Sequence, residues 1–354
     1  MSIFYTSKEE LAKRFERPYG LRNETLAEFP AWKERLRRRL AEITGIDTIA
    51  SRSQPPPNPR VVETVKCDGY TRQKMLIETE TAVTLPFYVL IPDGHGSGGT
   101  GKKSAAFLAL HGHCGGGKLA VAGVDDDPRV AAEIKTYNYD YAVKLARLGL
   151  LVFVPDARGF GERREDLHQG DEYLTASSCS ELNRLAVSFG QSVVGMWTWD
   201  NMRLTDYIAS RDDVDPTRIG IGGLSGGGLQ TLWAAALDDR YRCVVISGYF
   251  YGFRNALIDF VCCSCNYVPQ LFRTIDMGDL AALIAPRPLL IETGTQDWLN
   301  GTRGMPNVLE QVEITRKAYA LFGAESNLVH DIFEDGHKWH GKYSEPWIVE
   351  QLND

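Results

Sequence analysis

Residues 218–237 read RIGIGGLSGGGLQTLWAAAL. A short apolar run at 218–222 gives way to an apolar helical run at 227–237, through Gly223-Leu224-Ser225-Gly226-Gly227. A serine on so sharp a strand-to-helix turn needs neighbours without side chains, because a Cβ on either flank would strike the adjoining strand or helix. The hydroxyl of Ser225 is then lifted above the carboxyl edge of a sheet. The helix N-terminus behind it favours developing negative charge. A serine presented in this way is a candidate nucleophile.

Working outward, apolar strands alternate with helices. Strands are expected at 105–110, 150–155, 243–247, 288–293 and 328–333, and helices at 139–148, 194–210 and 308–322. Continuous apolar strands between helices predict an α/β fold with a mostly parallel central sheet and helices on both faces. Ahead of these, runs at 61–66, 73–79 and 83–92 carry branched and aromatic residues and read as an antiparallel entry. Residues 26–43 place Leu36, Leu40 and Ile43 at helical spacing among charges. The run SRSQPPPNP at 51–59 blocks helix and strand alike. The expected organisation is a helical N-terminal extension with a proline-rich linker at 1–60, then a catalytic domain at 61–354.

A serine hydroxyl needs a base to take its proton. The partners of such an elbow follow it in chain order, acid first and histidine second. Of the seven histidines, only His330, His337 and His340 follow Ser225. His330 falls inside an expected strand. His337 lies in the loop just past it and is the preferred base, with His340 as rival. Asp297 ends the loop after strand 288–293 and is the expected acid, ahead of Glu292, which lies within the strand. Backbone N–H donors for an oxyanion are expected from Gly226 and, in the loop HGHCGGGK at 111–118, from His113, with Cys114 next in line. The run DARGFGE at 156–162 ends a strand at the same edge. It offers Arg158 to a polar substrate, or an internal ion pair that holds the loop. Trp197 and Trp199 sit on an expected helix, where packing is the plainer role and a pairing of Asp200 with Arg203 one turn on is expected. Trp298 follows Asp297 directly and is the better candidate to touch substrate.

Composition bounds the rest. With 39 basic and 46 acidic side chains the net charge is −7, so nothing favours phosphate and no nucleic-acid partner is expected. Four arginines between 35 and 39 read as a solvated helix face. No apolar run is long enough to span a bilayer. The start, MSIFYTSKEE, lacks the pattern of a secretory signal, and a cytoplasmic location is expected. The glycine-rich stretch 93–103 is not a P-loop, because Lys103 stands where Ser or Thr belongs. Seven cysteines, unevenly spread, give no disulfide framework. The run Cys262-Cys263-Ser264-Cys265 has no paired CxxC or CxxH at zinc-like spacing, and His111-x-His113 has no third ligand nearby in sequence, so no metal and no cofactor are expected.

Taken together, HGHCGGGK, DARGFGER, GLSGGG, Asp297 and the DGH ending in His337 make residues 60–350 resemble the α/β-hydrolase superfamily. On its dienelactone-hydrolase and acetyl-xylan-esterase side, the chain looks most like α/β-hydrolase family 7. The resemblance implies a Ser225–His337–Asp297 triad and oxyanion donors at His113 and Gly226. It departs from dienelactone hydrolases in having serine, not cysteine, at the elbow. The implied activity is hydrolysis of small carboxylic esters, such as acetylated sugars, without a cofactor. Two other readings stand beside it: a peptidase of the prolyl-oligopeptidase type, whose usual β-propeller sixty residues cannot form, and a non-catalytic binding protein. Whether the chain forms a homo-oligomer is left open by its sequence.

Overall fold

Branched and aromatic side chains from residue 60 to 92 build three antiparallel strands, β1 (Arg60–Cys67), β2 (Tyr70–Glu80) and β3 (Val83–Pro92). They lead into β4 (Ser104–Leu110), β5 (Leu151–Pro155), β6 (Val214–Leu224), β7 (Tyr241–Ser247), β8 (Leu289–Gly294) and β9 (Leu328–Phe333). The computed structural model describes residues 6–95, 103–166, 170–260 and 262–353. The sheet order is β1-β2-β3-β5-β4-β6-β7-β8-β9. From β5 to β9 every pairing is parallel, and β3 joins β5 antiparallel. This is the α/β-hydrolase fold. Two hydrophobic clusters, one on each side of the sheet, cover it.

The inner strands are apolar on both faces for that reason. Ala106–Leu110 and Leu151–Val154 are wholly buried. β6 lies between β4 and β7, so the turn that ends it opens on the middle of the sheet's carboxyl edge. That is where ligands reach a parallel sheet.

The N-terminal helix Phe29–Thr44 buries Phe29, Trp32, Leu36, Leu40 and Ile43 along one stripe. Gly45, in a left-handed conformation, stops it. These side chains share a core cluster with Trp197, Leu204 and Ile208 of the helix Val193–Ser210. Each fully buried one contributes about 1.5–3 kcal/mol of transfer energy. Arg17 grips Asp279 through two hydrogen bonds of 2.7 and 2.5 Å. The proline-rich run is also held to the body, since Glu78 donates to the Pro57 carbonyl and Arg203 to that of Pro55. The arginines of this helix are paired: Arg37 with Asp239, Arg38 with Glu34 and Arg39 with Glu42.

Some local expectations need correcting. Helices at Pro128–Tyr137, Cys179–Ser188, Met277–Ala282 and Ser344–Asn353 were not legible. Met277–Ala282 is only six residues long, and Cys179–Ser188 leaves Leu185 and Val187 exposed, so neither presents a clean apolar stripe. Asp200 does not pair with Arg203. It takes Arg158 and Arg163, while Arg203 pairs with Asp206. Residues 96–102 of the glycine-rich stretch lie outside the described residues. Among the described residues, no helix is long and apolar enough to cross a membrane.

Candidate active site

Ser225 closes the turn after β6 with φ 62° and ψ −119°. A non-glycine residue held there stores about 1–3 kcal/mol. Two backbone hydrogen bonds keep it in place, Ser225 N–H to the Ser247 carbonyl at 2.9 Å and Leu229 N–H to the Ser225 carbonyl at 3.0 Å. The flanking glycines are required by contact. A Cβ on Gly223 would stand 2.3 Å from the Leu110 carbonyl oxygen, and one on Gly227 only 1.9 Å. The turn therefore packs backbone to backbone on the end of β4, and the loop after β4 lies beside Ser225.

Asp297 and His337 come from neighbouring strand ends. The loop after β8 is tied to the loop after β9 by hydrogen bonds from Thr295 N–H to the Phe333 carbonyl and from Gln296 N–H to the Asp335 carbonyl. Asp297 is buried. Its Oδ1 accepts the Leu299 N–H at 2.9 Å, and its Oδ2 lies 2.6 Å from His337 Nδ1. The sequence rival Glu292 is occupied elsewhere. It accepts the His340 and Gly341 N–H groups at 3.1 and 3.0 Å and thereby holds the segment just past His337. Burial raises its carboxyl above the usual range. His340 has its own carboxylate, Asp331, also at 2.6 Å, and stacks on Phe333. His330 bonds Thr293, and burial pushes its ring down to about 4.

Ser225, Gly226, His113, Cys114, Trp298 and His337 line one cavity of about 180 Å³, walled further by Tyr137, Leu229 and Cys262. His340 and Arg158 are not among its lining residues. Among the described residues, the backbone N–H groups of His113, Cys114 and Gly226 have no protein acceptor. Burial pushes the Cys114 thiol up to about 11, so it stays protonated near neutrality. Trp298 is 57% exposed at the mouth, with its ring 6.4 Å from that of His337 and 5.8 Å from that of Phe260.

Three side chains offered by the sequence are engaged in internal contacts. Arg158 lies outside the cavity lining, and its Nε and Nη2 donate to Asp200 and Glu80. Trp197 and Trp199 are buried and donate to the Arg158 and Thr79 carbonyls. His111 is also committed, since its Nε2 accepts the Ala157 N–H at 3.0 Å and its Nδ1 faces the Gly112 carbonyl at 2.8 Å. That pattern assigns the Nδ1–H tautomer, and burial keeps the ring below its usual range. Asp156, at the end of β5, accepts from the Lys118 ammonium at 2.5 Å and from the Lys118 N–H at 2.8 Å. Both residues are buried. Lys118→Met leaves that carboxylate without its cation. Chemical denaturation is expected to show a loss of about 3–5 kcal/mol, and a loss below about 1 kcal/mol would show that the pair does not hold the loop.

Side chains that lie far apart in sequence also converge on one point near the elbow. His113, from the loop after β4, meets Cys179, from the start of the helix Cys179–Ser188, and Cys263 and Cys265, from the segment beyond β7. Their ligand atoms all lie within 4.8 Å of one another. Hydrogen bonds with Cys179 and Cys265 hold the Cys263 thiol below its ordinary value. Burial would lower the His113 ring, but its bonds to Cys179 and Cys263 outweigh this and raise it to about 10.

A serine on a strained strand-to-helix turn, beside a strand-end Asp–His pair on a mostly parallel sheet, is the arrangement of an α/β-hydrolase. More narrowly, the chain belongs to the Abhydrolase family described by the Abhydrolase_7 model, which matches residues 9–327. It is 30% identical over 190 residues to YtaP of Bacillus subtilis (strain 168), provisionally named a hydrolase; the match spans 49% of this chain and 55% of YtaP. The chain thus spans about half the length of that relative. Its fold is similar to that of a Bacteroides fragilis NCTC 9343 protein provisionally named an acetyl xylan esterase, with TM-score 0.74, 20% identity and coverage of 95% and 82% of the two chains. Methylesterase BT1017 is similar with TM-score 0.66 and 23% identity, over 93% of this chain and 64% of its own. Acetyl xylan esterase 1 of Thermoanaerobacterium sp. JW/SL YS485 is similar with TM-score 0.57 and 16% identity, over 99% of each chain.

Proposed function

We propose that the protein is a serine carboxylic-ester hydrolase that works through an acyl-enzyme on Ser225. The observation that carries this reading is the 2.6 Å contact between Asp297 and His337 on the wall of a cavity that Ser225 also lines. Asp297 accepts the Nδ1–H of His337, which leaves Nε2 free to take the Ser225 proton. Ser225 Oγ then bonds to the acyl carbon. The carbonyl electrons move onto oxygen, which the N–H groups of Gly226 and His113 receive. His337 returns the proton to the departing alcohol. Water repeats the sequence, releasing the acid and restoring the serine.

The substrate class follows from size and shape. A cavity of about 180 Å³ is small against common ligand pockets of roughly 300–1,000 Å³. It suits a short acyl group. The alcohol then extends past Trp298, whose exposed face fits a sugar ring. Acetylated carbohydrates combine both features, and one of the similar folds is named an acetyl xylan esterase.

A panel of acetyl, feruloyl and methyl-uronate esters tests this. Turnover of acetyl esters well above the others is expected; preference for feruloyl esters would contradict the small acyl pocket. Trp298→Ala is expected to raise KM for acetylated sugars roughly 2- to 10-fold, the worth of one aromatic contact, with kcat for p-nitrophenyl acetate nearly unchanged. Unaltered KM for the sugar would remove Trp298 from the site.

A further inference from the structure

The cluster formed by His113, Cys179, Cys263 and Cys265 is not used by the chemistry above except through the His113 backbone. We infer that these four side chains form a tetrahedral binding site for Zn²⁺, with His113 Nε2 and the three sulfurs as ligands.

Zinc bonds of about 2.3 Å to sulfur and about 2.0 Å to nitrogen give a tetrahedron with edges of about 3.8 Å (S–S) and about 3.5 Å (S–N). Here His113 Nε2 stands 3.2 Å from Cys265 Sγ and 3.6 Å from Cys179 Sγ, and Cys179 Sγ stands 3.4 Å from Cys263 Sγ. All four donors fall within 4.8 Å of one another. One ion at their centre satisfies them together. A disulfide has its sulfurs about 2.05 Å apart and employs two of them. It leaves the third thiol and the imidazole converging on nothing.

The surroundings are those of a ligand set. Cys179 and Cys265 are wholly buried. The Ser180 hydroxyl lies 3.0 Å from Cys263 Sγ, and the Asn266 amide donates to Cys265 Sγ at 3.5 Å. Such outer partners orient ligands and offset thiolate charge. The Phe160 ring packs edge-on against His113 at 5.3 Å.

Donor chemistry selects the ion. Three thiolates and one imidazole suit Zn²⁺ and poorly suit Mg²⁺ or Ca²⁺. Four protein ligands leave no open position, which is the pattern of a structural site. On binding, the cluster releases three protons to solvent, and the ion with three thiolates and neutral His113 carries one net negative charge. The ion joins three segments: the loop after β4, the helix Cys179–Ser188, and the wall from Cys262 to Asn266. His113 also touches the elbow, because a Cβ on Gly226 would come within 2.8 Å of its Nδ1. The proposed metal therefore braces the loop beside Ser225 without entering the reaction.

Elemental analysis of tag-free protein, made with zinc in the medium and purified without chelator, tests this independently of esterase activity. About one zinc per chain is expected. Cys179→Ser, Cys263→Ser and Cys265→Ser should each lose it, and Cys67→Ser should keep it. Should a serine variant fail to fold, the wild-type protein still answers. A thiol-specific mercurial should release the zinc to an indicator dye, and cobalt-substituted protein should show the visible absorption of tetrahedral, thiolate-bound Co²⁺. Protein without stoichiometric metal, whether its cysteines are free or joined as a Cys179–Cys263 disulfide, would overturn the proposal. So would metal that survives loss of all three cysteines.

Discussion

Ser225→Ala is expected to lower kcat for p-nitrophenyl acetate by about 10⁶-fold while the thermal melt and far-UV circular dichroism stay those of the parent. The two halves of this result have separate causes. The substitution removes only Oγ, so the acyl-enzyme cannot form, and what remains is the small effect of the oxyanion donors. The strain at φ 62° belongs to the backbone. It is held by the hydrogen bonds to Ser247 and Leu229, which alanine retains. Substantial turnover in a folded Ser225→Ala protein would show that another group attacks the ester.

His337→Ala is expected to cost roughly 10⁵- to 10⁶-fold in kcat, and His340→Ala less than about 10-fold. The comparison is demanding, because both imidazoles have a carboxylate at 2.6 Å from Nδ1. Pairing with an acid therefore does not distinguish them. Position does: His337 lines the cavity with Ser225, and His340 is not among its lining residues. Loss of His340 is expected to register instead in stability, through its stack on Phe333. Stopped-assay kinetics on both variants decide the matter. A large kcat loss confined to His340→Ala would move the base.

The parts of this molecule that were legible in its sequence are those where local sterics dictate one outcome. The GLSGGG turn is such a place, because a Cβ at 223 or 227 would stand only 2.3 or 1.9 Å from the Leu110 carbonyl oxygen. The meeting of Asp297 and His337 was readable too, since each closes a recognisable apolar strand. What distant segments supply was not readable. An internal ion pair for Arg158 was readable but its partners were not, because Glu80 and Asp200 lie 78 and 42 residues away. The Cys263-x-Cys265 pair looked like ordinary buried thiols because Cys179 reaches Cys263 from 84 positions off and His113 reaches Cys265 from 152. Short helices such as Met277–Ala282 gave no periodic signal and are shaped by what they pack against.

The most direct measurement is the rate and site of labelling by a fluorophosphonate, mapped by peptide mass spectrometry. A single adduct on residue 225 is predicted, formed orders of magnitude more slowly once the imidazole of residue 337 is removed. An adduct elsewhere, or undiminished labelling without that imidazole, would contradict the account.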